Sequence, residues 1–236
     1  MENKNLLDSV VALCKRRGII FQNSEIYGGI GGFYDYGPVG VEMLNNLKRY
    51  WWKNMVDKRE NVVGIDGTII THPKVWEASG HVENFGEEVV ECKGCHQRFR
   101  PEDIEEKCPN CGKKEFTEPK SYNLLFQTEV GVIEGSKVKA YLRGEACQNI
   151  YLDFKNIIDS TRQQIPFGIA QIGKAFRNEV TPGRFTFRSR EFEQWDLQFF
   201  VHPDDMEKYF EYWKEERMKF YKELYRKHDN LRFYQH

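Results

Sequence analysis

The order of apolar and polar positions predicts helices and strands in alternation, with no internal repeat and no low-complexity stretch. Between Leu6 and Arg17 the apolar residues Leu6, Leu7, Val10, Val11, Leu13 and Cys14 recur at helical spacing, and Gly18 ends the run, so a short amphipathic helix is expected there. Ile19 to Gln22 reads as a strand. A longer helix is predicted from Val39 to Lys58, with Val41, Leu44, Leu47, Trp51 and Met55 on one stripe and Gly37-Pro38 providing a first-turn proline. Tyr50 and Trp52 widen its apolar face beyond what one core needs. Asn61 to Thr71 is expected as a strand closed by Pro73, Ser121 to Val132 as strand, turn and short strand, and Tyr151 to Gln163 as a helix. Pro166-Phe167 begins a further strand. After Phe200, His202-Pro203-Asp204-Asp205 caps a last helix whose broad apolar face holds Met206, Tyr209, Phe210, Trp213, Phe220, Tyr221 and Leu224.

The unusual stretch follows that strand. Gly173 to Glu179 leads into Thr181-Pro182-Gly183, and Phe185 to Leu197 returns, which predicts an antiparallel hairpin with a long loop. Arg177, Glu179, Arg184, Arg188, Arg190, Glu191, Glu193 and Asp196 sit among its strand-forming residues, and alternation puts many of them on one face. Such a face is tolerated where a charged ligand meets it, or where the hairpin is exposed and its charges pair with one another; these residues alone leave both readings open. The arginines offer planar forks suited to phosphate, and Phe192 offers a surface on which a base can stack. The glycine- and tyrosine-rich run from Gly28 to Gly40 lacks the Lys-Ser/Thr pair and the βαβ frame of a phosphate-binding loop, so that role is excluded.

With 236 residues, 40% of them hydrophobic, the chain has room for one large domain or a domain with a small insert. The formal net charge of −1 means that any nucleic-acid contact is a local patch. No apolar run reaches transmembrane length and the N-terminus lacks an apolar signal region, so a cytoplasmic protein without membrane contact is expected. In that compartment cysteines are metal ligands or free thiols. Cys92-Lys93-Gly94-Cys95, twelve residues and then Cys108-Pro109-Asn110-Cys111 make two CxxC knuckles, the pattern of a four-thiolate Zn²⁺ site. Four protein ligands leave no open position, so the zinc would be structural.

Phe176-Arg177-Asn178-Glu179, followed by Arg188, Phe192 and Asp196 at four-residue steps, resembles motif 2 of the class II aminoacyl-tRNA synthetases. The wider text FGIAQIGKAFRNEVTP and REFEQ is similar to the glycyl-tRNA synthetases of the homodimeric type, and the likeness runs from about Arg17 to the end of the chain. The resemblance implies an α+β fold: a class II catalytic core, mainly antiparallel sheet flanked by helices, spanning 1–86 and 119–236, with a zinc-ribbon insertion over 87–118. The long helix, strand and Pro73 resemble motif 1, which implies a homodimer.

The resemblance further implies glycine–tRNA ligase activity, with ATP, Mg²⁺, glycine and the acceptor end of tRNA(Gly) as cofactor and substrates. Arg177 would hold the α-phosphate and glycine carboxylate, Glu179 would read the adenine amino group, Phe192 would stack on the ring, and Arg188 would face the outer phosphates. Asn178, Phe187, Ser189, Arg190 and Glu191 complete the implied ATP site. Glu145, Glu193, Gln194, Trp195 and Asp196, with Phe192 and Arg100, are the implied glycine contacts. Where the glycyl enzymes usually read Arg-Pro-Glu-Thr-Ala-Gln-Gly, this chain keeps Arg143, Glu145 and Gln148 but carries Gly144, Ala146, Cys147 and Asn149. No Gly-rich, Arg-bearing motif 3 is found, so the core is expected to be incomplete at its C-terminus. A synthetase-like paralogue that binds amino acid, adenylate or RNA without aminoacylation is the alternative; a zinc-ribbon nucleic-acid-binding protein is disfavoured by the near-neutral charge.

Overall fold

The computed structural model describes residues 2–183 and 185–235. In chain order it runs α1 (Glu2–Arg16), β1 (Ile20–Gln22), β2 (Tyr34–Tyr36), α2 (Pro38–Trp52), β3 (Val62–Gly64), β4 (Ile70–Thr71), α3 (Pro73–Ala78) and α4 (His81–Asn84). Then come β5 (Gly86–Glu91), β6 (Arg98–Phe99), β7 (Lys120–Asn123), β8 (Gln127–Val130), β9 (Val138–Leu142), α5 (Cys147–Leu152), α6 (Phe154–Thr161), β10 (Phe167–Phe176), β11 (Glu191–Phe200) and α7 (Met206–Leu224). The fold is α+β, as expected, with mostly antiparallel pairings and one parallel pair, β3 with β10.

The centre is the β10–β11 ribbon, ten residues on each strand, in register from Phe167 opposite Phe200 to Phe176 opposite Glu191. Period-two alternation gives it two faces. Ala170 with Leu197, Ile172 with Trp195 and Lys174 with Glu193 point to α2 and α7. There Trp51, Met55, Val62, Ala170 and Phe220 are buried together, and Trp51 meets Trp195 at 6.1 Å between centroids. Gln171 with Asp196, Gly173 with Gln194 and Ala175 with Phe192 point the other way, toward the β9–α5 turn. Beside them Ile150, Ile157, Phe167 and Ile169 make a second core with Phe154 and Phe200.

Several elements differ from the sequence reading. The expected strand over 61–71 is two strands: β3 pairs with β10, β4 with β9, and the chain between them turns to give its carbonyls to Arg143. The long helix ends as a π turn over Lys53–Asp57. The helix expected over 151–163 is α5 and α6, broken at Asp153. Phe185–Phe187 form a 3-10 turn rather than strand, so the return strand starts only at Glu191. The cause is the loop's tie to residues far away in sequence: Arg190 N donates to Gly32 O at 2.7 Å and Asn178 N to Leu124 O at 2.7 Å. Arg184 lies outside the described residues. The aromatic excess on α2 is also resolved within the chain, because Tyr50 stacks on Phe220 of α7 at 5.3 Å and Tyr50 and Trp52 both pack on the buried cluster. What α2 leaves exposed among its apolar residues is Val39, Val41, Met43 and Leu47.

Candidate functional site

The site lies on the face of the ribbon that meets the β9–α5 turn. Its floor is Arg143, only 1% exposed, whose guanidinium donates to the carbonyls of Lys174 (2.6 Å) and Gly67 (2.8 Å) and to Asn149 Oδ1 (3.3 Å) and Gln171 Oε1 (3.4 Å). Burial pulls its pKa below the usual arginine value, and the charge of Asp66 opposes the shift. A Cβ at Gly173 would sit 1.9 Å from Arg143 Nη2, so only glycine fits over the guanidinium.

Arg143 fixes the turn that carries Glu145. Glu145 Oε2 lies 3.3 Å from His81 Nε2 and accepts from Cys147 Sγ at 3.5 Å, and Oε1 lies 3.6 Å from Arg177 Nη2. Ser79 Oγ pairs with His81 Nδ1 at 2.8 Å. Gln194 Oε1 accepts from Ala146 N at 2.7 Å, and Gln171 Nε2 donates to Ala146 O. Burial pushes the Asp196 carboxyl above its ordinary range, the nearby Glu145 adds to this, and the hydrogen bond from Gln198 opposes it. The Cys147 thiol is pushed up to about 12 by burial and by Glu145 and Asp196, so it stays protonated near neutrality. Arg177 donates from Nε to Gly144 O at 3.2 Å, its guanidinium carbon 5.1 Å from the Phe85 ring and 5.3 Å from that of Phe192. One cationic fork thus meets Glu145, with the Asp196 carboxyl nearby.

A second cluster adjoins it. Arg188 holds Glu179 Oε2 through Nε at 2.7 Å and Nη2 at 2.6 Å, and Nη2 also donates to Glu87 Oε1. Arg190 donates to the carbonyls of Gly31 (2.8 Å) and Glu179 (3.1 Å). Asn178, Glu179 and Arg190 line a cavity of about 160 Å³ together with Asn123, Tyr122 and Arg98. Ser189 is buried behind them, whereas Phe187 is 81% exposed.

The structure therefore brings together Arg177, Asn178, Glu179, Arg188, Arg190 and Phe192, and beside them Glu145, Gln194 and Asp196. Other expected residues stand apart. Glu191, Glu193 and Trp195 are on the opposite face: Glu191 pairs with Lys174, Glu193 with Lys48 at 2.5 Å, and Trp195 packs on Trp51. Strand alternation is the reason, since their neighbours Phe192, Gln194 and Asp196 take the site side. The guanidinium of Arg100 is held by Asp103 at 2.9 Å and Glu102 at 2.8 Å in its own turn. Sequence reasoning missed His81, Phe85 and Glu87, and Arg143 was visible only as a kept residue of the family text before Glu145.

Cys92, Cys95, Cys108 and Cys111 converge, all four sulfurs lying within 4.8 Å of one another. Cys92 and Cys111 are 3.6 Å apart, as are Cys95 and Cys108, and Gly94 N donates to Cys92 Sγ at 3.4 Å. The Asn110 side chain and the Gln97 N–H draw Cys95 down to about 6. At Cys111 the Lys113 N–H favours the thiolate, but burial and the surrounding sulfurs outweigh it and push the thiol up to about 12. Thiolates this close require a cation to be ionised together, so the donor set and spacing fit a tetrahedral metal ion.

Residues 126–234 match the family described as tRNA synthetase class II core domain (G, H, P, S and T). The ribbon lies within the matched residues, and the chain is similar there to the class II aminoacyl-tRNA synthetases. Its sequence is 49% identical to the glycine–tRNA ligase of Borrelia hermsii over 234 residues, 98% of this chain and 53% of that protein. It is 49% identical to that of Treponema denticola over 241 residues, covering 100% and 53%, and 46% identical to that of Thermobifida fusca over 248 residues, covering 98% and 54%. The chain spans about half the length of these relatives. A crystal structure described as the RNA binding domain of threonyl-tRNA synthetase from Cryptosporidium parvum Iowa II shares the fold, with a TM-score of 0.53, 19% identity, and coverage of 88% of this chain and 39% of that one. No described helix is long and apolar enough to cross a membrane.

The raised Asp196 carboxyl gives a stability prediction. A group that binds its proton more tightly folded than unfolded stabilises the fold below its unfolded pKa and loses that contribution as pH rises through the raised value. Asp196→Asn is expected to raise the Tm of the ligand-free protein at pH 7, with the gain disappearing below the ordinary aspartate range; equal Tm values for variant and wild type across pH 4 to 8, measured by thermal unfolding, would refute it.

Proposed function

We propose that this chain provides catalytic-domain residues of a glycine–tRNA ligase, which activates glycine with ATP and passes the glycyl group to the acceptor end of tRNA(Gly). The observation that carries the reading is the pairing of Arg177 with Glu145, beside the ribbon face that carries Gln194 and Asp196. Two carboxylates there suit an ammonium group, and the arginine suits the carboxylate and phosphate beside it. A glycine carboxylate oxygen would attack the α-phosphorus, and the bond to the bridging oxygen would break to release pyrophosphate. A tRNA ribose hydroxyl would then attack the glycyl carbonyl, lose its proton and displace AMP. In both steps the chain's part is positioning and charge stabilisation. Arg177 would hold the reacting carboxylate against the α-phosphate, Asn178, Glu179 and Phe192 would seat the adenine, and Arg188 and Arg190 would face the phosphates. Two or three arginines leave a triphosphate undercompensated, and Mg²⁺ held mainly by the phosphates would make up the charge.

Glycine is selected by excluding a Cβ, a task for a small pocket. Cys147 and His81 on either side of Glu145 narrow the space at the proposed ammonium site. The Gly144, Ala146, Cys147 and Asn149 text supports a second reading, a paralogue that binds amino acid or adenylate without charging tRNA. Arg177→Ala in the full-length protein separates the two. Loss of a contact made to developing charge costs about 3 kcal/mol or more, so glycine-dependent pyrophosphate exchange should fall at least about a hundredfold. Exchange within threefold of wild type removes Arg177 from the site; absence of exchange in the wild type favours the paralogue.

Cys92, Cys95, Cys108 and Cys111 would hold one structural Zn²⁺ with no reactive position. Structural zinc contributes about 10–16 kcal/mol to small domains at pH 7, so the insertion would depend on it for folding. Elemental analysis should find one equivalent per chain; well under one, with the four cysteines intact, contradicts the assignment. The reducing cytoplasm, where this reading puts the protein, keeps such thiols available.

The homodimer belongs to the same reading. The apolar side chains exposed on α2, Val39, Val41, Met43 and Leu47, suit a two-fold contact. Sedimentation should show a dimer at tens of micromolar, and a clean monomer would count against it.

A further inference from the structure

We infer that Glu87, at the root of the cysteine-bearing arm, sets the nucleotide affinity of the site by competing with phosphate for Arg188; this rests on the nucleotide reading above. β5 starts at Gly86 and ends at Glu91, directly before Cys92. Arg188 Nη2 donates to Glu87 Oε1, while Nε and Nη2 together hold Glu179 Oε2. One guanidinium therefore serves two carboxylates, and a phosphate that binds Arg188 has to compete with them.

The two carboxylates are not equivalent. The side chain of Glu179 is 10% exposed, its Oε2 takes both Arg188 donors, and Arg190 holds its carbonyl oxygen. Glu87 takes one donor, and its Oε2 is buried without a hydrogen-bond partner among the described residues. A buried carboxylate oxygen lacking a donor gains little from staying in place. Glu87 is thus the looser of the two, and a phosphate group carrying more charge displaces it from Arg188. The arm stays attached when it does, because Leu124 O, just past β7, still accepts from Asn178 N. Occupancy of the site and the position of the arm's root are coupled through this one guanidinium, and the coupling is reciprocal.

The test is calorimetric titration of ATP with Mg²⁺, and separately of adenosine, into wild type and Glu87→Gln. Freed of its competitor, Arg188 should bind ATP about three- to fivefold more tightly in the variant, while adenosine, which has no phosphate, should bind the two proteins equally. A merely structural role would move both ligands together. Glu87→Ala gives the same readout should Glu87→Gln fold poorly. Unchanged or weaker ATP binding in the variants, or a parallel change for adenosine, overturns the role of Glu87 and leaves the nucleotide reading standing. Failure of the wild type to bind either ligand overturns both.

Discussion

The structure depends on one buried cation. Arg143 is sealed under the ribbon with no carboxylate touching it among the described residues; its charge is spread over the carbonyls of Lys174, Gly67 and Thr68 and the side-chain oxygens of Asn149 and Gln171. Burying a charge is tolerated only where hydrogen bonds replace the lost water. Those acceptors come from the β3–β4 connection, from α5 and from β10. Its own backbone joins in, with Arg143 N donating to Ile69 O and Arg143 O accepting from Phe176 N. Removing the guanidinium would orphan all these acceptors together, so the elements around it are locked as a set.

Above that floor the ribbon divides its work by alternation. One face closes on α2 and α7 through Trp195, Leu197 and Phe199, with the Lys48–Glu193 and Lys174–Glu191 pairs at its end. The other is polar and faces the turn that Arg143 secures. The packed face resists motion of the strands, so the side chains of Gln171, Phe192, Gln194 and Asp196 are held in place by contacts made on the far side of the sheet. Sites built on rigid strands hold their geometry better than sites built on loops.

The charge of the site is left unbalanced. Burial and the nearby Glu145 raise the Asp196 carboxyl, while Arg177 and His81 lie beside Glu145. An acidic pocket of this kind costs stability in the empty protein and returns it when a cation binds, a common arrangement at functional sites.

Local pattern alone placed α1, α2, β10 and α7, because long periodic runs report their own burial. The two CxxC knuckles were equally plain, since each pair needs only a tight turn to present its sulfurs. Motif 2 was legible as text in Phe176-Arg177-Asn178-Glu179 and Arg188. The tertiary structure alone decided which of its charged residues share a space. The register of Phe176 against Glu191 sent Glu193 and Trp195 to α2 and kept Gln194 and Asp196 for the site. The loop from 177 to 190 departs from strand because its partners are Gly31, Gly32, Glu87 and Leu124, dozens of residues or more away. His81, Phe85, Glu87 and Arg143 carry no periodic signal; their roles come from contacts across the chain. Periodicity reports whether a side chain is turned in or out, whereas the identity of its partner is set by how the chain closes on itself.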